Sequence, residues 1–568
     1  MARLGLTPGR LGALLRHAPW LDSYLQRQRR RRLARGAGYP DWTEAARSAP
    51  LTLRQSTGDT RGTRILLATS LGGHLPAMQM ETTLAAALAL RGVTVEALLC
   101  DGALPACQLC EPREFPSPAR FIKQGPTRDL CVSCHAPGQR PYLALGIPVH
   151  TYSSCLSNAD RARSAALAAT TPEADLDSVE LEGIHIGQHA RAGALRFLAR
   201  GTFDGHSTTT AIRRRYLEAA ALTALATQRL LGRQTFDVAV FHHGIYVPQG
   251  VIGDVARRMG IRVVNWNPAY RRGCFIFSHG DSYHHTMLAE PASSWEDLPW
   301  THDREAQLMA YLRSRWHGTD DWISFQDRPY TDSTAIRRHL GIDLARPIIG
   351  CLTNVMWDAQ LHYPANAFPD MRSWLIATIS YFRERPALQL VIRVHPAEVH
   401  GSVPSRQPII NELRAEFPEW PANVYLVPPD DRMSTYALCE LCDAVLIYGT
   451  KTGIELAAMG VPVVVAGEGW VRNKGISLDA ESPDSYRDLL DRLPLGHRMD
   501  PATVVRARRY AHHFFFRRMI PVTSLVSHDG WPPYTFSGRL ADLAPGADPG
   551  LDVILRGILD GTPFVHDA

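Results

Sequence analysis

VLIYGTKTGIELAAMGVPVVVAGE, residues 445–468, reads as a strand, a polar turn, a helix and a second strand. The apolar run closes at Tyr448, and Gly449, Thr450, Lys451, Thr452 and Gly453 make a small turn into GIELAAMG before PVVVAGEG resumes strand character. Both strands are almost wholly apolar, as expected when helices cover both faces of a parallel sheet. The turn joins two hydroxyls and a lysine to the backbone N–H groups of a helix start, a combination suited to a diphosphate or monophosphate. Glu455 falls in the helix's first turn, where its carboxylate either accepts from a ribose diol or complements the helix dipole.

Working outward, the same alternation occupies residues 336–500. PIIGCLTN (347–354), LQLVIRVHP (388–396) and NVYLVPP (423–429) are further strands, with helices around SWLIATISYFRE and STYALCELC. A second alternation fills 61–335: RILLATS (64–70), the turn LGGHLPA, the helix METTLAAALALRG and VTVEALLCD (93–101) form a βαβ unit. FDVAVFHHG (236–244) and IRVVNWN continue it. Residues 291–345, tryptophan-rich and polar, suit a bridge. The expected fold class is therefore α/β, with two Rossmann-like doubly wound domains in tandem, as 568 residues exceed what one core usually supports. Ligands of such sheets bind beyond the carboxyl ends of the strands, which places a cleft between the two.

Other candidates sit at those strand ends. Arg393 and His395 alternate on one side of a buried strand closed by Pro396, and a ligand phosphate or an internal partner such as Glu398 would offset the burial of Arg393. In the first domain, Gly72 and Gly73 permit close approach of a sugar or phosphate. His74 beside them is a candidate general base, with His242 and His243 on the same rim as alternatives.

Cys107, Cys110, Cys131 and Cys134 have the spacing C-x2-C-x20-C-x2-C in an excursion, 104–140, between sheet elements. That spacing predicts a structural tetrahedral zinc site, with an iron–sulfur cluster as the alternative. Four thiolates leave no vacant position, so such a site braces and does not catalyse; no catalytic metal is expected. Cys439 and Cys442 lie on an apolar helix with no second pair and read as core cysteines.

The chain's net charge of +5 is uneven. Residues 1–60 form a basic N-terminal arm in which Arg3, Arg10, Arg16, Arg27, Arg29, Arg30, Arg31, Arg32 and Arg35 face one acid, Asp22, within the first 35 positions. Leu11, Leu14, Leu15 and Ala18 recur at helical spacing ahead of the arginine run. Such a segment suits contact with an anionic membrane surface, or a solvated arm packed on its own domain. No nucleic-acid partner is expected, since no recognition motif accompanies the basic run. No apolar run reaches the length of a spanning helix and the start lacks a signal peptide's apolar core, so a cytoplasmic location is expected, peripheral at the inner membrane face if the arm binds lipid.

The order RVHP, YGTKTGIELAAMGVPVVVAGE, WVRNKG resembles the capsule polysaccharide biosynthesis glycosyltransferases, including the Kdo-transferase-like group. The likeness is best over 347–520 and fainter in the first domain, where it rests on SLGGH and GIHIGQHARAG. It implies the GT-B fold and a nucleotide-sugar donor, CMP- or UDP-linked, with a polysaccharide or lipid-linked acceptor. Carried over, it implies that Arg393, His395, Thr450, Lys451 and Thr452 meet donor phosphate and Glu455 the ribose. Asn354 and Asp358 would border the cleft, with Asn473 and Lys474 opposite. The TKT turn departs from the serine-rich version of many relatives and leaves the nucleotide open. The resemblance also implies that 501–568 cross back to the first domain through ARRYAHHFFFRRM and PGLDVILRGILDG. A non-hydrolysing nucleotide-sugar 2-epimerase, a CDP-alcohol glycerophosphotransferase and a zinc-braced scaffold without nucleotide binding are the rival readings.

Overall fold

The computed structural model describes residues 19–44, 62–316, 321–322, 325, 329–343, 345–358 and 366–567. Leu11, Leu14, Leu15 and Ala18, and part of the run after Asp358, lie outside them.

Helix α1, Pro19–Ala34, precedes β1 (Arg64–Ser70), α2 (Leu75–Ala89) and β2 (Thr94–Leu99). The cysteine excursion carries α3 (Pro118–Gln124) and α4 (His135–Ala144) and ends at β3 (Val149–Thr151). A long helix, α5 (Ser207–Arg233), leads into β4 (Val238–His242), β5 (Arg262–Pro268) and β6 (Cys274–His279), and α6 (His302–Arg315) runs towards the second lobe. That lobe holds β7 (Ile348–Leu352), β8 (Gln389–Arg393), β9 (Val424–Val427), α7 (Thr435–Glu440) and β10 (Ala444–Ile447). After these come α8 (Thr452–Ala458), β11 (Val463–Val465) and β12 (Leu478–Asp479). The tail contributes α9 (Pro501–His512), β13 (Ile520–Pro521), the hairpin β14 (Leu525–Ser527) and β15 (Tyr534–Phe536), and α10 (Pro549–Asp560).

Two sheets result. The first has seven strands in the order β13-β6-β5-β4-β1-β2-β3, parallel from β5 to β3 and antiparallel at the β6 and β13 edge. The second has six parallel strands in the order β12-β11-β10-β7-β8-β9.

The all-apolar strands follow from burial on both faces. In β1, Leu66 and Ala68 enter one core cluster while Ile65 and Leu67 enter the cluster across the sheet. In β10, Val445 and Ile447 face one side and Ala444 and Leu446 the other. Each fully buried aliphatic side chain contributes about 1.5–3 kcal/mol, so a polar residue in these runs is costly without a partner.

The last segment returns to the first lobe. α9 packs on α8 in the second lobe, Ile520 and Pro521 pair antiparallel with Phe275 and Cys274, and α10 lies on β13. Arg91 and Asp552 close this junction at 2.6 Å. Among the described residues, no helix is long and apolar enough to cross a membrane.

Candidate functional site

A cleft of about 1420 Å³ lies where the carboxyl ends of the two sheets approach each other. Its first-lobe wall includes Tyr270, Tyr283 and His284, and its second-lobe wall includes Asn354, Asp358, His395 and the turn Gly449–Thr452. The lobes are clasped beside it. Gln407 accepts from the Gly201 and Thr202 backbone N–H groups at 2.9 and 3.2 Å and donates to the Thr202 hydroxyl at 2.9 Å. Tyr246 donates to Asp358 Oδ1 at 3.0 Å, again across the lobes.

The turn after β10 presents its side chains to the cleft while consuming its own amides. Thr452 N–H donates to Thr450 Oγ1, Gly453 N–H to the Thr450 carbonyl and Ile454 N–H to the Lys451 carbonyl. The free helix-start N–H groups expected from the sequence are thus spent inside the turn at these three positions. What faces the cleft is the pair of hydroxyls on Thr450 and Thr452, 3.2 Å apart, and the Lys451 side chain. Lys451 Nζ donates to Glu455 Oε1 at 2.8 Å and sits 4.6 Å over the Tyr270 ring. Burial, with Arg315 nearby, pulls its pKa down to about 8.

Glu455 does not border the cleft. Its carboxylate is fully buried and takes Lys451, Arg315 Nε at 3.0 Å and the Tyr436 hydroxyl at 2.6 Å. Burial alone would raise this carboxyl, but Arg315 and Lys451 outweigh it and hold it below the ordinary carboxylate range. The expectation that Glu455 meets a ribose diol is therefore corrected: its oxygens are committed to two cations and a phenol. Arg315, which also pairs with Asp321, comes from α6 in the stretch read only as a bridge.

Arg393 is likewise committed. It is 2% exposed, and its two terminal nitrogens donate to the Pro428 and Asp431 carbonyls, the second at 2.9 Å. The carbonyls of the loop after β9 offset much of its burial, and Arg393 also lines the cleft with its Nε buried and without a hydrogen-bond partner; Glu398 instead accepts from Ile409 N–H. Lys474 is also turned inward, donating to the Leu288 and Glu290 carbonyls at 3.1 and 2.8 Å. Asn473 sits exposed in a left-handed turn at φ 60° with its N–H on Asp479. Neither lines the cleft, so both are corrected as its opposite border.

His395 does line it. Its Nδ1 accepts from Ala397 N–H at 3.1 Å, and burial, reinforced by Arg393 and Lys451, pulls its pKa down to about 4. The ring is thus neutral near pH 7, with its proton on Nε2, a donor. Asn354 Nδ2 donates to the Gly449 carbonyl at 3.0 Å, and its Oδ1 is buried without a partner, an acceptor left over at the cleft.

On the first-lobe side, the glycine turn is covered. A Cβ on Gly72 would stand 2.6 Å from the Cys134 carbonyl oxygen, one on Gly138 would stand 2.5 Å from Gly72 Cα, and Gly73 N–H donates to Cys134 Sγ at 3.0 Å. The close approach these glycines allow is that of the cysteine excursion, not of a sugar. His74, His242 and His243 follow one another in ring contact, tilted and then edge to face, with centroids 4.8 and 5.5 Å apart, and do not line the cleft. Burial depresses all three. The chain of rings continues through His284, 5.9 Å from His243, which does reach the cleft. His284 follows no strand-end motif and nothing in its local sequence singles it out.

Cys107 and Cys110 hold their sulfurs 3.9 Å apart. Among the described residues, however, no group of three or more His, Cys, Asp or Glu side chains is placed to hold a metal ion. The four-thiolate centre expected from the spacing is thus not shown among the described residues. Cys439 and Cys442 are fully buried core residues.

No family model matches the sequence, and no curated protein matches it. Among solved structures the chain is similar to Thermosulfurimonas dismutans KpsC, a beta Kdo 2,4 transferase, at 12% identity, covering 48% of this chain and 79% of that one with a TM-score of 0.32. It is similar to the spinosyn rhamnosyltransferase SpnG complexed with spinosyn aglycone at 14% identity, covering 79% and 95% with a TM-score of 0.23. A putative UDP-N-acetylglucosamine 2-epimerase from Listeria monocytogenes is similar at 11% identity, covering 89% and 99% with a TM-score of 0.27. At such values no residue's role transfers.

Proposed function

We propose that this protein is a GT-B glycosyltransferase that moves a sugar from a nucleotide-activated donor to a polysaccharide or glycolipid acceptor. The observation that carries the reading is the half-neutralised Lys451 ammonium opening on the cleft between two doubly wound lobes, flanked by the Thr450 and Thr452 hydroxyls. A site of this kind suits a phosphate group. Near it the Trp316 and Tyr436 rings line the cleft almost parallel, 9° apart in plane with centroids 6.5 Å apart, which suits a nucleobase.

In this reading Lys451, the two threonines and the His395 Nε2–H meet the charge that develops on the leaving phosphate as the bond to the anomeric carbon breaks. Asn354 Oδ1 accepts from a donor hydroxyl. The acceptor hydroxyl approaches from the first-lobe wall, where His284, kept neutral by burial, lines the cleft and orients that hydroxyl by a hydrogen bond.

The test is a thermal-shift screen against UDP, CMP, GDP and CDP, because a ligand that binds only the native state stabilises it. One nucleotide is expected to raise Tm in the wild type and fail to do so in Lys451→Ala. Equal shifts in both proteins, or none with any nucleotide, defeat the proposal. Sugar release that depends on an added acceptor separates transfer from epimerisation, which needs none.

A further inference from the structure

The described part of the basic arm is bound to the protein in a way that turns its charge outward. Residues 27–35 contain six arginines and no acid. Arg30 faces inward, donating to Glu114 at 2.7 Å and pairing with Asp129 at 3.2 Å, and Arg29 reaches the same Glu114 at 3.9 Å while staying largely exposed, so these two acids are committed. With α1 fixed by Arg30 and by the Tyr39 hydroxyl on the Ser133 carbonyl, Arg27, Arg29, Arg31, Arg32 and Arg35 are left exposed.

The second observation concerns apolar surface. Tyr24, Val132, Leu143 and Trp531 are 49%, 58%, 55% and 56% exposed, four of the six large apolar side chains so placed among the described residues. All four belong to one neighbourhood. Tyr24 lies on α1, Val132 lies in the turn Cys131–Ser133 and Leu143 on α4, both of which pack on α1. The Trp531 carbonyl is about 4.0 Å from a Cβ built on Gly38, just past the helix. Exposed apolar side chains gathered around outward arginines match what an interfacial, anionic lipid surface binds: guanidinium groups meet phosphates while ring and aliphatic groups enter the headgroup boundary.

We infer that α1 and the cysteine excursion together form a docking face for an anionic membrane surface. This inference is independent of the cleft and of the reaction assigned to it. The experiment is flotation of the full chain with vesicles of phosphatidylcholine alone or with about one-third phosphatidylglycerol, at low and high salt. Wild type is expected to float with the anionic vesicles, to remain behind with neutral ones and to be released at high salt. The variant Arg27→Gln/Arg29→Gln/Arg31→Gln/Arg32→Gln should bind at least about a hundredfold more weakly, at roughly fivefold per arginine. Val132→Ser/Leu143→Ser should weaken binding at low salt without changing its salt dependence. A control that removes four exposed arginines elsewhere, Arg338, Arg414, Arg487 and Arg492, should float as the wild type does. Equal loss in that control, undiminished flotation of the four-arginine variant, or capture of a random oligonucleotide without flotation would overturn the inference. Unchanged melting curves confirm that the variants are folded.

Discussion

Lys451 and Arg315 converge on one oxygen of Glu455, at 2.8 and 3.0 Å, with the carboxylate wholly buried. Removing the anion leaves the buried Lys451 ammonium without its counter-charge and Arg315 with Asp321 alone. Glu455→Gln is therefore expected to lower stability by about 3–5 kcal/mol, whereas Lys451→Met, which leaves the Arg315 pair intact, is expected to cost far less. Urea unfolding of the two variants measures the difference, and equal midpoints would show that the carboxylate is not the hub.

Lys451 titrates near 8, below its ordinary range, because burial and Arg315 disfavour its charge. Nucleotide affinity should then fall as pH rises from 7 to 9.5, as the ammonium is lost. Lys451→Arg, which stays charged throughout, should remove most of that fall. Calorimetric titration across the range checks it; a pH-independent wild type would separate Lys451 from the anion.

His74, His284 and His395 are depressed to about 4, 3 and 4, in each case chiefly by burial. The unfolded chain binds protons at these positions below about 6.5 and the folded chain does not. The stability they contribute is present above that pH and is lost as pH falls towards 4, at up to about 1.4 kcal/mol per pH unit for each. Melting temperature should drop steeply between pH 6.5 and 5, and less steeply in His284→Asn. A flat profile would mean that the rings are hydrated.

Gly72→Ala forces a methyl against the Cys134 carbonyl, and Gly138→Ala forces one against the Gly72 backbone. Neither neighbour is a flexible side-chain end, so each substitution should destabilise by about 1–3 kcal/mol. Gly146→Ala, with open space around it but φ 75°, tests backbone strain without a clash. If all three melt alike, the contact between the turn and the excursion is not what fixes these glycines.

The fold was legible because its signal is local. Runs such as Val463–Val465 and Ala444–Ile447 are apolar at every position, and that follows directly from burial on both faces. Residues that end a strand, such as Arg393, or follow one, such as His395, Asn354 and Thr450, were placed at the cleft by topology alone. Glu455 and Lys474 were not, because what a buried charge faces depends on partners far away in the chain: Arg315 on α6 for the one, and Leu288 and Glu290 for the other. His284 and Tyr436 had no local pattern to mark them. The cysteine spacing fixed where the excursion lies, but a spacing does not fix the distances among four sulfurs.

The pairing of β13 with β6 has a consequence during synthesis. The first lobe's own strands emerge from the ribosome early, yet β6 has no partner on its outer side until Ile520 and Pro521 have been made. For more than two hundred codons the nascent lobe presents an open sheet edge, a template for pairing with other chains that only the returning tail closes.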